Sequence, residues 1–260
     1  RSLCDWSSDV CSSDLRSLGF LGDTKEDRSD EGLRVDGDLA VALSGRIFRG
    51  SRERLTLEEL CVAYRAGGLD AMRELRGAYV LAIADGARLF LVRDGSGQRT
   101  IFFGHCGARW AFAVEPKAIW SQSGFQRRVR PSALAQYLTY SFIPGRGTML
   151  KGLYELPSGH HVELGDEAQA RPERFFFFER PVEPSPRVAG GGDDEPVDSA
   201  RWVERFRDLH AEAVAERIPA DGPVAAFLSG GLDSSVVVAE LARQTRRPVR
   251  TYSIHFGDKY

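Results

Sequence analysis

The sequence predicts two domains that each combine helices and strands: an α+β domain followed by an α/β domain with a parallel sheet. Short strand-like runs dominate residues 39–164. A stretch rich in proline, glycine and acidic residues, 179–199, comes next and is typical of a linker. After it, helical and strand patterns alternate, as they do in parallel sheets covered by helices.

Residues 1–15, RSLCDWSSDVCSSDL, are not expected to belong to the folded protein. The string has no apolar periodicity and resembles a translated sequencing adapter, so we interpret it as an artefact. A signal peptide is the alternative, but Asp5, Asp9 and Asp14 interrupt the apolar core that such a peptide needs. Removing one Arg and three Asp from totals of 35 basic and 37 acidic residues leaves 34 of each. This balance predicts no nucleic-acid partner.

The cysteines and the hydropathy point to a reducing compartment. Two of the 4 cysteines lie in residues 1–15, while Cys61 is placed in a helix and Cys106, next to His105, in a hairpin turn. A disulfide framework or a zinc site is therefore not expected. No apolar run is long enough to cross a bilayer. We expect a cytoplasmic protein with no membrane partner.

The first domain is predicted to span residues 16–178. The segment Leu57–Arg65 places four apolar residues on one helical face. Pro116–Trp120 and Pro131–Tyr140 each begin with proline, which fits the first turn of a helix. The predicted strands are Leu39–Leu43, Ala78–Ala84, Arg88–Val92, Thr100–Phe103, Arg109–Val114 and His160–Leu164.

The second domain is predicted to span residues 200–260. Its ligand is expected at the carboxyl edge of its first strand, as in other open parallel sheets. Two strands do not bury both faces of such a sheet, so we expect the domain to be unstable alone. The predicted elements are helix Ala200–Arg217, strand Pro223–Leu228, helix Ser234–Gln244 and strand Val249–Ile254.

The turn after the first strand of this domain reads SGGLDSS, from Ser229 to Ser235. Its two glycines allow a ligand close to the backbone, and the N-terminus of the following helix attracts anions. Asp233 would repel bare phosphate, but it fits a Mg²⁺ ion that bridges carboxylate and phosphates. The turn therefore predicts a magnesium nucleotide site. The alternative is a tight turn in which Ser234 is only the N-cap of the helix.

The turn lacks the lysine of a Walker A loop. SGGLDSS instead resembles the pyrophosphate loop of the ATP pyrophosphatases, in the form that asparagine synthetases carry. The resemblance implies ATP as a ligand, with Asp233 acting through Mg²⁺ and the backbone of Leu228 and Ile254 meeting the adenosine. A purely structural role in the strands is the alternative for these last two residues. The residues that would hold pyrophosphate are Ser229, Gly230, Gly231, Ser234 and Ser235.

Motifs of the first domain resemble the glutaminase domain of the same family, in the same order along the chain. They are LRGAYV followed by AD, LFLVRDGSG, FAVEPKA and LPSGH, which lie within Leu75–Asp85, Leu89–Gly97, Phe112–Ala118 and Leu156–His160. The resemblance implies an N-terminal-nucleophile-type α/β/β/α sandwich for the first domain. It implies a truncated parallel-sheet ATP pyrophosphatase domain for the second.

The chain departs from the family at positions that would act on glutamine. The amino-terminal cysteine that serves as nucleophile is absent from this sequence, so no catalytic residue is assigned. Ser44, Gly45 and Arg46 stand where the family has an Asn-Gly-Glu loop, and Thr56 stands in place of an aspartate. Arg46 and Thr56 supply no carboxylate to pair with the ammonium of glutamine. These four positions therefore form a degenerate glutamine site.

Three functions stay open from the sequence. The first is an amide-forming ligase of the asparagine synthetase type, which transfers glutamine nitrogen to aspartate and releases AMP and pyrophosphate. The second is a glutamine-independent cyclase, of the β-lactam synthetase or lasso-peptide cyclase type. The third is a noncatalytic nucleotide-binding relative. Expected partners are ATP and an amino-acid or peptide carboxylate, with glutamine and a second copy of the chain as further options.

Overall fold

The structure is a computed structural model that describes residues 31–49, 53–165, 171–174, 199–219 and 222–255. Residues 1–15, 175–178 and almost all of the expected linker lie outside this part of the chain, so those expectations stay predictions. The chain divides into two compact units, Arg1–Arg180 and Pro181–Tyr260. No described helix is both long enough and apolar enough to cross a membrane.

The described residues of the first unit form strands and short helices in the predicted order. A 3-10 helix, Gly68–Glu74, follows the first α-helix. The elements are β1 (Glu31–Asp36), β2 (Leu39–Arg49), β3 (Glu53–Arg54), α1 (Leu57–Gly67), β4 (Arg76–Asp85), β5 (Arg88–Arg93), β6 (Phe102–Cys106), β7 (Arg109–Ala113), α2 (Pro116–Trp120), α3 (Pro131–Tyr140), β8 (Leu153–Glu155), β9 (His160–Glu163) and β10 (Glu173–Arg174).

These strands form two antiparallel sheets. The larger sheet has 7 strands in the order β1-β2-β4-β5-β9-β10, with β3 paired to the end of β2. The smaller sheet has 3 strands in the order β7-β6-β8. The longest pairing joins β2 to β4, from Leu39 opposite Asp85 to Phe48 opposite Arg76. It fixes the register of the larger sheet, because a slip of one residue would turn every core side chain to the wrong face.

Inward-facing apolar side chains alternate with others along the strands, and they form three stacked hydrophobic clusters. Val41 and Leu81 pack on one face of the larger sheet against α1 residues such as Leu60. The opposite face packs against the smaller sheet through a second cluster that includes Leu91 and Phe103. A third cluster joins the far face of the smaller sheet to α2. The order of layers is helix, sheet, sheet, helix, so the expected α/β/β/α sandwich is confirmed.

Several details differ from the sequence predictions for this unit, among them strands β3, β8 and β10, for which no strand was predicted. Strand β1 was not predicted, because EGLRVD is charged and its side chains are largely exposed at the edge of the sheet. Strand β2 continues to Arg49, beyond the predicted end at Leu43, because its pairing with β4 does not stop there. His105 and Cys106 end strand β6 rather than forming the hairpin turn. The turn uses the next two residues, where Gly107 has φ +66°.

The second unit contains α4 (Ser199–Ala215), β11 (Val224–Phe227), α5 (Leu232–Gln244) and β12 (Val249–Tyr252) among its described residues. Strands β11 and β12 are parallel, which confirms the predicted sheet type. Val214, Val224 and Leu241 form its buried cluster. Helix α5 begins at Leu232, so the prediction of a start at Ser234 was wrong. Gly231 is the N-cap and has no side-chain cap bond, which also removes Ser234 from that role.

Candidate functional site

The SGGLDSS turn joins the carboxyl end of β11 to the first turn of α5. Gly230 has φ +84°, a conformation that side-chain-bearing residues rarely adopt. Gly231 has φ −77° and ψ 161°, an extended conformation open to any residue. The first three N–H groups of α5, from Leu232 to Ser234, have no acceptor within the helix and carry its positive dipole end, whereas the Ser235 N–H donates to the Gly231 carbonyl at 3.1 Å. An anion bound at this turn would satisfy them.

Hydroxyl groups hold the turn in shape. The Ser229 N–H donates to Ser234 Oγ at 3.2 Å, and the two serine hydroxyl oxygens lie 3.1 Å apart. Ser234 and Ser235 both donate to the carbonyl oxygen of Gly231, at 3.1 Å and 2.8 Å. All of these contacts are exposed to solvent. The turn is therefore preformed, and its hydroxyl groups lie at the surface, where they can exchange these bonds for bonds to a ligand.

The fold alone does not require glycine at position 231. A Cβ atom added there would meet only Ser229 Oγ, at 3.5 Å, which is an ordinary contact distance. The backbone angles of Gly231 also suit other residues. Among the described residues, none fills the space above Gly231, as close approach of a ligand to the backbone requires.

The adenosine candidates lie beside this turn. The Leu228 N–H donates to the carbonyl of Tyr252 at 2.9 Å, so Leu228 continues the pairing of β11 with β12. Ile254 follows two residues after the end of β12 and is 76% exposed. Ser253, which the sequence analysis missed, donates its hydroxyl to the Leu228 carbonyl at 2.6 Å. Its position directly after a strand parallel to β11 was the signal that could have singled it out.

The magnesium candidate is a single carboxylate. Asp233 is exposed in the first turn of α5. The described residues contain no group of three or more His, Cys, Asp or Glu that could hold a metal ion. One carboxylate fits Mg²⁺ only when phosphates and water supply the other ligands, as is usual for magnesium nucleotides.

Three of the four degenerate glutamine positions share strand β2. Ser44 and Arg46 alternate with Gly45, which has φ +114°. A Cβ atom on Gly45 would lie 2.0 Å from the Ala78 carbonyl oxygen, so the close approach of β4 demands glycine here. The fourth position, Thr56, follows Leu55, whose N–H donates to Ile47 at 3.0 Å. Three of the positions therefore lie in the middle of β2, and Thr56 lies beside the carboxyl-terminal part of that strand.

Thr56 is the N-cap of α1. Its Oγ accepts the Glu59 N–H at 3.2 Å, while the Glu59 carboxylate accepts from the Thr56 N–H and hydroxyl, both at 2.8 Å. This reciprocal arrangement is a capping box. The hydroxyl and the nearest carboxylate are therefore already committed to starting the helix.

The Arg93-Asp94 turn helps to hold the sandwich together. Arg93 donates to Glu155 at 2.7 Å and to the Leu156 carbonyl at 2.5 Å, which links β5 to the end of β8. Asp94 is fully buried and accepts N–H groups from Gln98 at 3.0 Å and Arg99 at 3.1 Å. Every charge here has a partner within the turn or the adjoining sheet, which is the arrangement of a structural link.

Comparison with known families agrees with this architecture. The family model of the glutamine amidotransferase domain matches residues 39–176. The model of asparagine synthase matches residues 205–260. The first match covers the described strands and helices of the first unit from β2 onward, and the second includes the SGGLDSS turn.

Curated relatives match this chain over most of its length. The chain is 31% identical over 251 residues to a glutamine-hydrolysing asparagine synthetase 3 of Bacillus subtilis, covering 93% of this chain and 38% of that protein. It is 26% identical over 249 residues to a protein of Methanocaldococcus jannaschii that is provisionally named a glutamine-hydrolysing asparagine synthetase, covering 90% and 46%. The chain thus spans less than half the length of these relatives. On its four-layer sandwich, its SGGLDSS turn and these matches, the chain belongs to the asparagine synthetase family, with a glutamine amidotransferase domain and a segment of the asparagine synthase type.

Proposed function

We propose that the complete protein is an ATP-dependent amide-forming ligase. A substrate carboxylate oxygen attacks the α-phosphorus of ATP, which forms an acyl adenylate and releases pyrophosphate. A nitrogen nucleophile then attacks the acyl carbon, forms the amide and releases AMP. The observation that carries this proposal is the preformed, open SGGLDSS turn with an unfilled space above Gly231.

Each residue of the turn has a role in this reaction. The backbone around Gly230 and Gly231 and the hydroxyls of the three serines would hold the pyrophosphate part of ATP. Asp233 would hold Mg²⁺, which neutralises charge on the phosphates as the bond to the leaving group breaks. The backbone beside Leu228 and Ile254 would position the adenosine. No group of this chain needs to form a covalent bond to substrate, so catalysis rests on binding and charge stabilisation.

Asparagine synthesis from aspartate and glutamine is the leading form of this proposal, by likeness to the named relatives. A glutamine-independent cyclase is the second candidate, and one observation favours it. At the degenerate glutamine site the Thr56 hydroxyl and the Glu59 carboxylate are bound to each other. Neither is free to receive the ammonium group of glutamine, and Arg46 on β2 carries the same charge as that ammonium.

Pyrophosphate exchange on the complete gene product tests the proposal. Labelled pyrophosphate should enter ATP only when the carboxylate substrate is present, because exchange requires reversible adenylation. Aspartate is the first substrate to try, followed by amino acids that carry both a carboxylate and an internal amine. Exchange with none of them would contradict the ligase proposal.

A second assay separates the two nitrogen sources. Glutamate release from glutamine, measured beside amide formation with ammonium chloride, shows whether the first domain supplies nitrogen. Release coupled to amide formation supports glutamine-dependent synthesis. Exchange without glutamate release supports the cyclase.

A single substitution tests the proposed role of Asp233 in holding Mg²⁺. Asp233→Asn in the complete protein should lower the exchange rate by about tenfold or more, because loss of the carboxylate weakens the hold on Mg²⁺. The side chain is exposed, so the thermal unfolding midpoint should hardly change. Unchanged exchange at limiting Mg²⁺ would remove Asp233 from this role.

A further inference from the structure

A cavity of about 470 Å³ lies in the first unit, beside the β6–β7 hairpin. The segments 124–128 and 146–154 form its other walls. Its volume falls in the range of small-molecule sites. None of the residues assigned above to ATP or glutamine lines it.

One side of the cavity is aromatic. Phe103 lies at its base, with its ring centroid 6.1 Å from that of Trp110 and 5.8 Å from that of Tyr154. Phe103 is buried, Trp110 is half-buried and Tyr154 is exposed. The rings therefore present partly open faces and edges to the cavity. Such a surface suits a planar ring.

The other side of the cavity is cationic. Arg128, Arg146 and Lys151 line it, and none of the described residues that line it carries a carboxylate. None of the three side chains forms an ion pair with a carboxylate in the described part of the chain. Their backbones are fixed, since the Lys151 N–H donates to the Arg128 carbonyl at 2.8 Å and the Glu155 N–H donates to the Arg146 carbonyl at 2.8 Å. Three unneutralised cations on an anchored backbone suit a multiply charged anion.

A buried polar atom at the cavity also lacks a partner. His105 lines the cavity, and its ring centroid lies 3.7 Å from that of Trp110. Its Nε2 atom is buried and has no hydrogen-bond partner among the described residues. Buried polar atoms in proteins usually have one.

We propose that this cavity binds a phosphorylated small molecule with a planar ring, of the mononucleotide class. The ring lies on the aromatic side and the phosphate lies among the three cations. The described residues that line this cavity all belong to the first unit, whereas the SGGLDSS turn belongs to the second. It would give the amidotransferase domain a ligand of its own that takes no part in the ligase reaction.

Calorimetric titration of the full chain tests the proposal, with AMP and inorganic phosphate as separate probes in EDTA. The cavity variant is Arg128→Gln combined with Lys151→Gln. The control variant is Lys117→Gln combined with Arg205→Gln, which removes the same charge from exposed positions outside the cavity. A third variant, Trp110→Leu, removes part of the aromatic side. Thermal unfolding of each variant verifies that it is folded.

The expected result is that AMP binds more tightly than phosphate. Its dissociation constant should rise by about tenfold or more in the cavity variant, since two charge-assisted contacts are lost, and stay unchanged in the control. Trp110→Leu should weaken AMP binding and leave phosphate binding unaffected. Equal loss in the cavity and control variants overturns the proposal, as does equal affinity for AMP and phosphate. Tighter binding of single-stranded RNA than of AMP also overturns it, in favour of a nucleic-acid groove.

Discussion

At the scale of single residues, the backbone angles and the space for a Cβ atom show which glycines the fold itself requires. Gly45 lies against the neighbouring strand with φ +114°, and an added Cβ would lie 2.0 Å from a carbonyl oxygen. Gly231 has neither a positive φ nor a close contact at the position of an added Cβ atom. Folding explains the first glycine, whereas the fold does not require the second, and we propose that ligand binding does.

Gly45→Ala should therefore be strongly destabilising. We expect a loss of more than about 3 kcal/mol in urea unfolding, because the backbone of β2 or β4 must move to admit the methyl group. Gly86→Ala is the matched control. Gly86 also has positive φ, +57°, but a Cβ there meets nothing within 4 Å, so the cost should be about 1 kcal/mol. Equal losses in the two variants would contradict the argument from close packing.

The degenerate glutamine site is also best understood residue by residue. Thr56 appears in the sequence only as a substitution for an aspartate. In the structure its hydroxyl starts a helix, and the Glu59 carboxylate completes the capping box. The spacing Thr56-x-x-Glu59 ahead of an apolar run could have predicted this role.

At the scale of elements, α1 depends on that cap. Thr56→Ala should lower the free energy of unfolding by about 1 kcal/mol, because an N–H group of the first turn loses its acceptor. Thr56→Ser should retain most of the stability. A Thr56→Ala variant of the complete protein with unchanged stability but lost glutamine hydrolysis would instead assign Thr56 to the substrate.

Arg93 joins the two sheets of the sandwich. Arg93→Met should cost about 3 kcal/mol or more, because it leaves buried carbonyl groups and the Glu155 carboxylate without their donor. Arg88→Met is the control, since Arg88 pairs with Glu163 at the surface and should contribute less than about 1 kcal/mol. Urea unfolding measures both. A similar small loss in the two variants would show that the sheets do not depend on Arg93.

At the scale of the whole molecule, stability should depend on pH through His161. Burial lowers the pKa of His161 below its ordinary value of 6.5, while the nearby Glu173 carboxylate partly offsets this effect. The unfolded chain therefore binds the proton first as the pH falls, and stability decreases from pH 7.5 to pH 5.5. Thermal unfolding should show a lower midpoint at pH 5.5.

His161→Gln should flatten this dependence. Glu163 does not explain the same window, because the Arg88 hydrogen bond lowers its pKa below the ordinary value of 4.5. Loss of the Glu163 contribution therefore belongs below that pH. An identical slope between pH 7.5 and pH 5.5 in His161→Gln and the parent chain would contradict the assignment to His161.

Much of the fold follows from the sequence, for a physical reason. The strands with apolar alternation and the two helices that begin with proline lie close to their predicted positions, because burial and the fixed φ of proline act locally. Strand β1 was not predicted from the sequence. Backbone hydrogen bonds pair it with β2, and its mostly polar side chains form an edge of the sheet. The start of α5 shifted by two residues because glycine can serve as an N-cap without a side-chain bond.

The candidate sites also differ in how far the sequence predicts them. The SGGLDSS turn was visible as a motif, because its residues are contiguous. The cavity beside Trp110 was not visible, because its cationic and aromatic residues come from segments that only the fold brings together. Ser253 likewise reaches the turn only through the pairing of β11 with β12.

The central claim, that the SGGLDSS turn holds the phosphates of ATP, is tested most directly by Gly231→Ala in the complete protein. Pyrophosphate exchange and thermal unfolding would be measured on the same samples. We predict that exchange falls by about tenfold or more, while the free energy of unfolding changes by less than about 1 kcal/mol. Unchanged exchange in a folded Gly231→Ala protein would contradict the assignment of the turn as the ATP site.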